Sequence, residues 1–244
     1  MTTWISHRGY TAEATENTAE AFLAAIGHGF DHLETDLRTT RDGHIVLCHD
    51  ADLRRVSGRQ VRMSELTRKE LAQEKLPCGE RLLFFDDFLE HFSHLNWILD
   101  IKPEGAQRTV DILTAMRQDP QVEAFLTQRT RYLFWNAQHE QQLTTKLPEA
   151  FCLAREGACY RAGLATLLGA SGMGGLQTGQ YYALPPKLKG VPILNPTVVQ
   201  RFHAKNARVI GYLPESEADR QRALTAGVDQ LLTNHANLKS LFGH

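Results

Sequence analysis

Trp4-Ile5-Ser6-His7-Arg8-Gly9 opens on a short apolar run and ends in a turn. The chain then passes through Glu16-Asn17-Thr18 into a segment from Ala19 to Gly29 that carries Phe22, Leu23 and Ile26 at helical spacing. Asn17 or Thr18 can cap that helix, and Gly29 can end it. His32-Leu33-Glu34-Thr35-Asp36-Leu37 follows as a second strand. Strand, loop, helix, strand is the repeating unit of a parallel α/β sheet, and the remaining chain is read for further copies of it.

Asp42-Gly43 marks a turn before Ile45-Val46-Leu47-Cys48, which makes that run a hairpin partner of the second strand. Helices are expected over Ser64–Leu71, opening on Ser64-Glu65-Leu66-Thr67 as a weakened capping box, and over Phe84–Phe92. Trp97–Ile101 reads as a strand stopped by Lys102-Pro103-Glu104-Gly105, and Ala106–Arg117 as a helix. Strands near Tyr132–Trp135, Phe151–Ala154, Leu176, Val209–Leu213 and Gln230–Thr233 continue the alternation, with helices over Ala137–Lys146, Val198–Ala204 and Glu215–Ala226. The glycine-rich Gly169–Gly179 and proline-rich Tyr181–Pro196 lack periodicity and read as loops around a sixth strand. With the hairpin set aside, eight strands alternate with helices. The expected fold is one domain over residues 1–244, an α/β (β/α)8 TIM-type barrel with a small hairpin insertion after the second strand.

Composition narrows the function. Lys and Arg total 27 against 28 Asp and Glu, so no global field recruits nucleic acid or an anionic membrane, and any phosphate site must be local. Cys48, Cys78, Cys152 and Cys159 have neither zinc-site spacing nor disulfide-scaffold density, and free thiols are expected. No run reaches the roughly 20 apolar residues that span a bilayer, so a cytoplasmic protein without stable membrane insertion is expected.

Glu34 and Asp36 stand two apart on a strand and project from the same face. On a solvated edge strand such a pair needs no explanation. Inside a parallel barrel, where both faces are covered, two unpaired carboxylates would be costly, which points to a ligand site at the carboxyl end. Asp100 and Lys102 repeat the spacing on the third strand. They make either a buried ion pair or, with Asp100 as a third carboxylate, part of a hard-cation site with room for phosphate oxygens. His7 and His49 each close a short apolar run and are expected on the same rim, where two histidines can divide the roles of base and acid. Arg8 offers a planar fork for phosphate, or a salt bridge to Glu16, Glu34 or Asp36.

Five motifs in order, His7-Arg8-Gly9, Glu16-Asn17-Thr18 with Ala21-Phe22, Gly29 to Asp36, Thr40-Arg41-Asp42-Gly43 and Val46 to Asp50, closely resemble the glycerophosphodiester phosphodiesterase family. Asp100-Ile101-Lys102 resembles the family's Glu-x-Lys strand, Phe134-Trp135-Asn136 its Ser-Phe-Asp-like segment, and Ala226 to Asn234 its last-strand motif. The resemblance implies a TIM-type barrel with one divalent cation, Mg2+ or Ca2+, on Glu34, Asp36 and Asp100. It implies acid/base histidines His7 and His49, and Arg8 and Lys102 on the phosphate. The implied reaction converts a small-molecule glycerophosphodiester to glycerol 3-phosphate and an alcohol. Asp100 in place of Glu shortens that ligand by one methylene and keeps its charge, whereas Gly211-Tyr212 in place of Trp-Thr and Asn234 in place of Asp bear on substrate more than on reaction type. Two alternatives are a lyase on lysolipids or sphingolipids that forms a cyclic phosphate, and an inactive barrel that binds phosphodiesters.

Overall fold

The structure, a computed structural model, describes residues 1–188 and 190–239. Its strands are β1 (Thr3–His7), β2 (His32–Thr39), β3 (Ile45–Leu47), β4 (Asn96–Ile101), β5 (Thr130–Phe134) and β6 (Phe151–Cys152), followed by β7 (Tyr181–Leu184), β8 (Lys187–Leu188), β9 (Val191–Pro192), β10 (Arg208–Tyr212) and β11 (Gln230–Thr233). The chain forms two compact units, one of Met1–Ile5 with Leu153–Asn234 and one of Ser6–Cys152 with the chain from His235.

In the larger unit the hydrogen-bonded order is β6-β5-β4-β2-β1, all parallel, with β3 antiparallel on β2. Register decides which side chains become neighbours: His7 pairs with Glu34, and Asp36 with Asp100. The helix at Ala19–Gly27 covers this sheet with Phe22, whose ring meets Trp97 edge-on at 4.9 Å, while Phe88 of the Phe85–Phe92 helix meets it at 4.6 Å. Such aromatic packing excludes water and fixes β4 beneath the two helices. Thr18 is the N-cap, accepting from Ala21 N and donating to the Thr15 carbonyl. Thr18→Ala is therefore expected to cost about 1 kcal/mol or somewhat more in urea unfolding; an unchanged midpoint would show that the cap contributes nothing.

The hairpin insertion is larger than the sequence suggests. Beyond β3, a cluster of Val46, Cys48, Leu53, Val56, Met63, Leu66, Leu71, Leu76, Leu82 and Phe84 forms a core of its own. Its helical content is single α-turns at Arg54–Ser57 and Arg68–Leu71 and a 3-10 turn at Met63–Glu65, instead of a helix over Ser64–Leu71. The capping box is Thr67 with Glu70, because the short-range hydrogen bonds close there and not at Ser64.

In the smaller unit β7, β10 and β11 run parallel, and Thr3 of β1 donates its amide to Asp229. Two expectations are corrected here. The sixth parallel strand is Tyr181–Leu184, not a segment near Leu176. A helix at Glu156–Leu167 stands where none was anticipated, because its apolar residues surround the axis instead of marking one face. Tyr182 and Leu184, inside the Tyr181–Pro196 stretch that reads as a loop, are buried. No helix among the described residues is long and apolar enough to cross a membrane, and the four cysteines are free thiols.

Candidate active site

β1 ends in a forced turn. Arg8 and Gly9 both adopt positive φ, 57° and 85°, and a Cβ on Gly9 would lie 2.6 Å from the Ala21 carbonyl carbon. Only glycine tolerates that approach, so His7-Arg8-Gly9 reverses tightly and sends the Arg8 side chain back across the end of β2. Asn17, also at positive φ (59°), is buried beside it. A residue held in that conformation is paid for by its contacts: Asn17 Nδ2 donates to Asp36 Oδ2 at 2.8 Å and Thr35 Oγ1 donates to Asn17 Oδ1 at 2.7 Å.

Glu34, Asp36 and Asp100 are buried and bring ligand atoms within 4.8 Å of one another. Lys102 Nζ lies 2.7 Å from both Asp36 Oδ1 and Asp100 Oδ2, and Arg8 Nε lies 3.0 Å from Asp36 Oδ2. The Asp100–Lys102 ion pair therefore exists, and it exists inside the carboxylate cluster. Three carboxylates face two cations, and Arg8 is shared with Glu16 through Nη1 at 3.2 Å. The surplus charge falls on Glu34. Its Oε2 is buried and receives no hydrogen bond; His7 Nε2 stands 3.7 Å away, beyond hydrogen-bonding range.

Burial, with the Asp36 and Asp100 charges, pushes the Glu34 carboxyl well above the usual glutamate range, against Arg8 and Lys102. Burial pushes on Asp36 too, but Lys102, Arg8 and the Asn17 amide hold it below the usual aspartate range. Asp100 lies above that range because burial outweighs Lys102 and the Trp135 indole. Lys102 remains charged: burial disfavours its ammonium, yet Asp36 and Asp100 together raise its pKa. An over-acidic, buried cluster in which Glu34 Oε2 has no donor and Asp36 Oδ1 has only the Lys102 ion pair fits a divalent cation, and hard oxygen ligands suit Mg2+ or Ca2+.

His49 follows β3, with its ring Nδ1 2.7 Å from Asp50 Oδ1 and its carbonyl accepting two bonds from Arg38, at 3.0 and 2.6 Å. Asp50 Oδ2 accepts from Arg55 Nε at 2.6 Å, and Arg55 grips both oxygens of Glu16 at 2.7 Å. A charged chain thus runs from His49 through Asp50, Arg55, Glu16 and Arg8 to Asp36. The Asp50 carboxyl stays below the usual range because Arg55 and His49 outweigh its partial burial. Trp135, half-exposed, donates its indole N–H to Asp100 Oδ1 at 2.8 Å, and Lys102 Nζ sits 5.3 Å from its ring centroid.

All seven residues singled out in the sequence lie in the larger unit. Glu34, Asp36, Asp100, Lys102, Arg8 and His7 are in one cluster, and His49 joins it through the charged chain. The sequence reading left Arg38, Arg55 and the Trp135 indole unassigned. Arg38 carried a signal, since it continues the Glu34, Asp36 face by two residues. Trp135 was marked only by the family-like Phe134-Trp135-Asn136 segment, and Arg55 carried no signal without the fold. In the smaller unit, the direction a side chain at Gly211 would take is filled by Leu231, Ala223 and Leu194.

The solved structures that this chain resembles are α/β barrels. A glycerophosphoryl diester phosphodiesterase domain from Mycobacterium tuberculosis superposes with a TM-score of 0.80 at 14% identity, over 100% of this chain and 99% of that one. A glycerophosphodiester phosphodiesterase from Agrobacterium tumefaciens gives 0.76 at 19%, over 99% and 100%. The fold is thus the (β/α)8 TIM-type barrel.

Residues 7–238 match the model of the glycerophosphoryl diester phosphodiesterase family, and the chain belongs to that family of phosphodiester hydrolases. A probable glycerophosphodiester phosphodiesterase 2 from Mycobacterium tuberculosis is 27% identical over 96% of this chain and 88% of its own length. A shorter match, 46% identical over 67 residues, is to Lysophospholipase D GDPD1 of Rattus norvegicus; it spans 28% of this chain and 21% of that protein.

Proposed function

We propose that this chain, acting as a single catalytic domain, hydrolyses glycerophosphodiesters to glycerol 3-phosphate and an alcohol. In this reading Glu34, Asp36 and Asp100 hold one divalent cation, Mg2+ or Ca2+, Arg8 and Lys102 take the phosphate, and His7 and His49 exchange protons. The observation that carries it is the buried carboxylate triad, over-charged against its two cations and left with a donorless oxygen on Glu34. A bound cation would withdraw charge from a non-bridging phosphate oxygen and make phosphorus more electrophilic.

The protein's own groups supply the rest. Arg8 spends Nε on Asp36 and Nη1 on Glu16, which leaves Nη2 as the guanidinium nitrogen for phosphate. Lys102 donates one proton to Asp100 and forms an ion pair with Asp36 Oδ1 at 2.7 Å, and a remaining proton serves the same phosphate. With Nδ1 engaged by an ionised Asp50, His49 presents Nε2 to the leaving oxygen as the acid, and His7 beside Glu34 takes the proton from the entering oxygen. That oxygen belongs to water, or to the neighbouring glycerol hydroxyl held close to phosphorus, which gives a cyclic phosphate first. The free thiols suit a reducing, cytoplasmic compartment.

A second reading, release of the head group from a lysolipid, is favoured by the 67-residue match to a lysophospholipase D. Phosphorus NMR of products from glycerophosphocholine and lysophosphatidylcholine separates the two. Glycerol 3-phosphate from the first substrate alone supports the main reading, lysophosphatidic acid or its cyclic form supports the second, and no product from either leaves a binding protein. Cation dependence has its own expected result: a chelator abolishes turnover, added Mg2+ or Ca2+ restores it, and far-UV circular dichroism stays unchanged. Loss of the dichroism signal would make the cation structural, and undiminished turnover would remove it from the mechanism.

A further inference from the structure

Between Gly157 and Pro214 the chain carries no Asp or Glu, against six Lys and Arg. An even spread of its 28 acidic residues would put about seven there. The near-neutral total therefore hides a local excess of positive charge in the smaller unit. Lys187 and Arg208 are compensated from outside the stretch, by Asp219 and Asp229. Among the described residues Arg161 and Arg201 meet no carboxylate: Arg161 donates to the Gly174 carbonyl, and Arg201 to the carbonyls of Thr166 and Leu167. These bonds fix two charged guanidinium groups against the Glu156–Leu167 helix and the turn after it without neutralising either.

The same helix and turn expose apolar side chains. Tyr160, Leu164 and Leu168 follow one another at intervals of four, which places them on one face. They are 49%, 48% and 73% exposed, and Met173 in the following 3-10 turn is 81% exposed. Scattered single apolar side chains need no explanation, but a stripe of this length beside two uncompensated arginines does.

We propose that this face docks the protein reversibly on an anionic lipid bilayer. The apolar stripe enters the interface while Arg161 and Arg201 meet the phosphates of the head groups, the pairing of hydrophobic and electrostatic attraction by which surface-lying helices bind. Charge selects this occupant over a second copy of the chain. A twofold contact through the face would set Arg161 and Arg201 against the same cations of the other copy, with only Glu156, at the opposite end of the stripe from Leu168, to separate them.

Vesicle sedimentation tests the proposal on the full chain. Vesicles of phosphatidylcholine with about one third phosphatidylglycerol are expected to carry down at least tenfold more protein than phosphatidylcholine alone, and less as salt screens the charge. L168S/M173S is expected to weaken the partition by about tenfold and R161Q by roughly fivefold, with thermal melts unchanged. Equal sedimentation with both vesicle types, or undiminished binding by L168S/M173S, overturns the proposal. So does a dimer in sedimentation velocity that L168S/M173S converts to monomer, which would assign the face to self-association.

Discussion

His7→Ala and His49→Ala are each expected to lower kcat by roughly 10²- to 10⁴-fold while leaving substrate affinity nearly unchanged, since a proton-transfer group contributes only in the transition state. A substrate with a nitrophenolate leaving group separates the two. Nitrophenolate departs without a proton, so losing the general acid matters far less there than on a natural diester, whereas losing the base matters equally on both. His49 is expected to be the acid. Asp50, held ionised by Arg55, accepts from Nδ1 at 2.7 Å, which orients the ring and leaves Nε2 for the leaving oxygen. His7 is more enclosed and adjoins Glu34, and it is expected to meet the entering oxygen as the base. Equal losses on both substrates for both variants would contradict this division and leave phosphate positioning as the main source of rate.

What the sequence disclosed about this site follows strand geometry. Glu34 and Asp36 share a face because side chains alternate along β2, and Asp36 meets Asp100 because the parallel register pairs them; the first fact is local, and the second needs only the strand order. The helical turns at Pro120–Ala124 and Phe125–Arg129 were not read, but period-2 and period-3.6 patterns were equally legible from Trp4 to Leu37, over Trp97–Arg117 and over Tyr132–Lys146. They failed where pattern and structure part. The Glu156–Leu167 helix exposes Tyr160 and Leu164 and buries Cys159 and Thr166, so its polarity does not report its burial. β7 lies inside a run of aromatic and proline residues that reads as loop. The charged chain from His49 to Asp36 joins residues up to 39 apart in sequence, Glu16 and Arg55 among them, and depends on the fold of the segment after β3. No local rule announces such a contact.

Within the triad, two conservative neutralisations are expected to move stability in opposite directions. Asp36 is the partner of both Arg8 and Lys102 and accepts from Asn17, so Asp36→Asn leaves two buried cations short of charge and is expected to destabilise the protein by about 3 kcal/mol or more. Glu34 carries the surplus, with a buried oxygen that no donor satisfies, and Glu34→Gln is expected to leave the cation-free protein as stable as wild type or more so. The pH dependences differ in sign. Glu34 ionises in the folded chain only above the ordinary range, so the folded state retains a proton that the unfolded state has lost. Cation-free stability then falls as pH rises from the ordinary glutamate range, about 4.3, towards that higher value, and Glu34→Gln flattens the slope. Asp36, depressed in the folded state, contributes stability that is present above the ordinary aspartate range and lost as pH falls through its own lower value. Both variants are expected to lose cation affinity by about 10²-fold or more, read by calorimetry with Mg2+ and Ca2+. Thermal melts with and without cation complete the test, because wild type should gain stability from the ion and neither variant should. A Glu34→Gln protein that melts well below wild type without cation would mean that the Glu34 charge is satisfied in the folded chain, and the triad would then have no vacancy for an ion to fill.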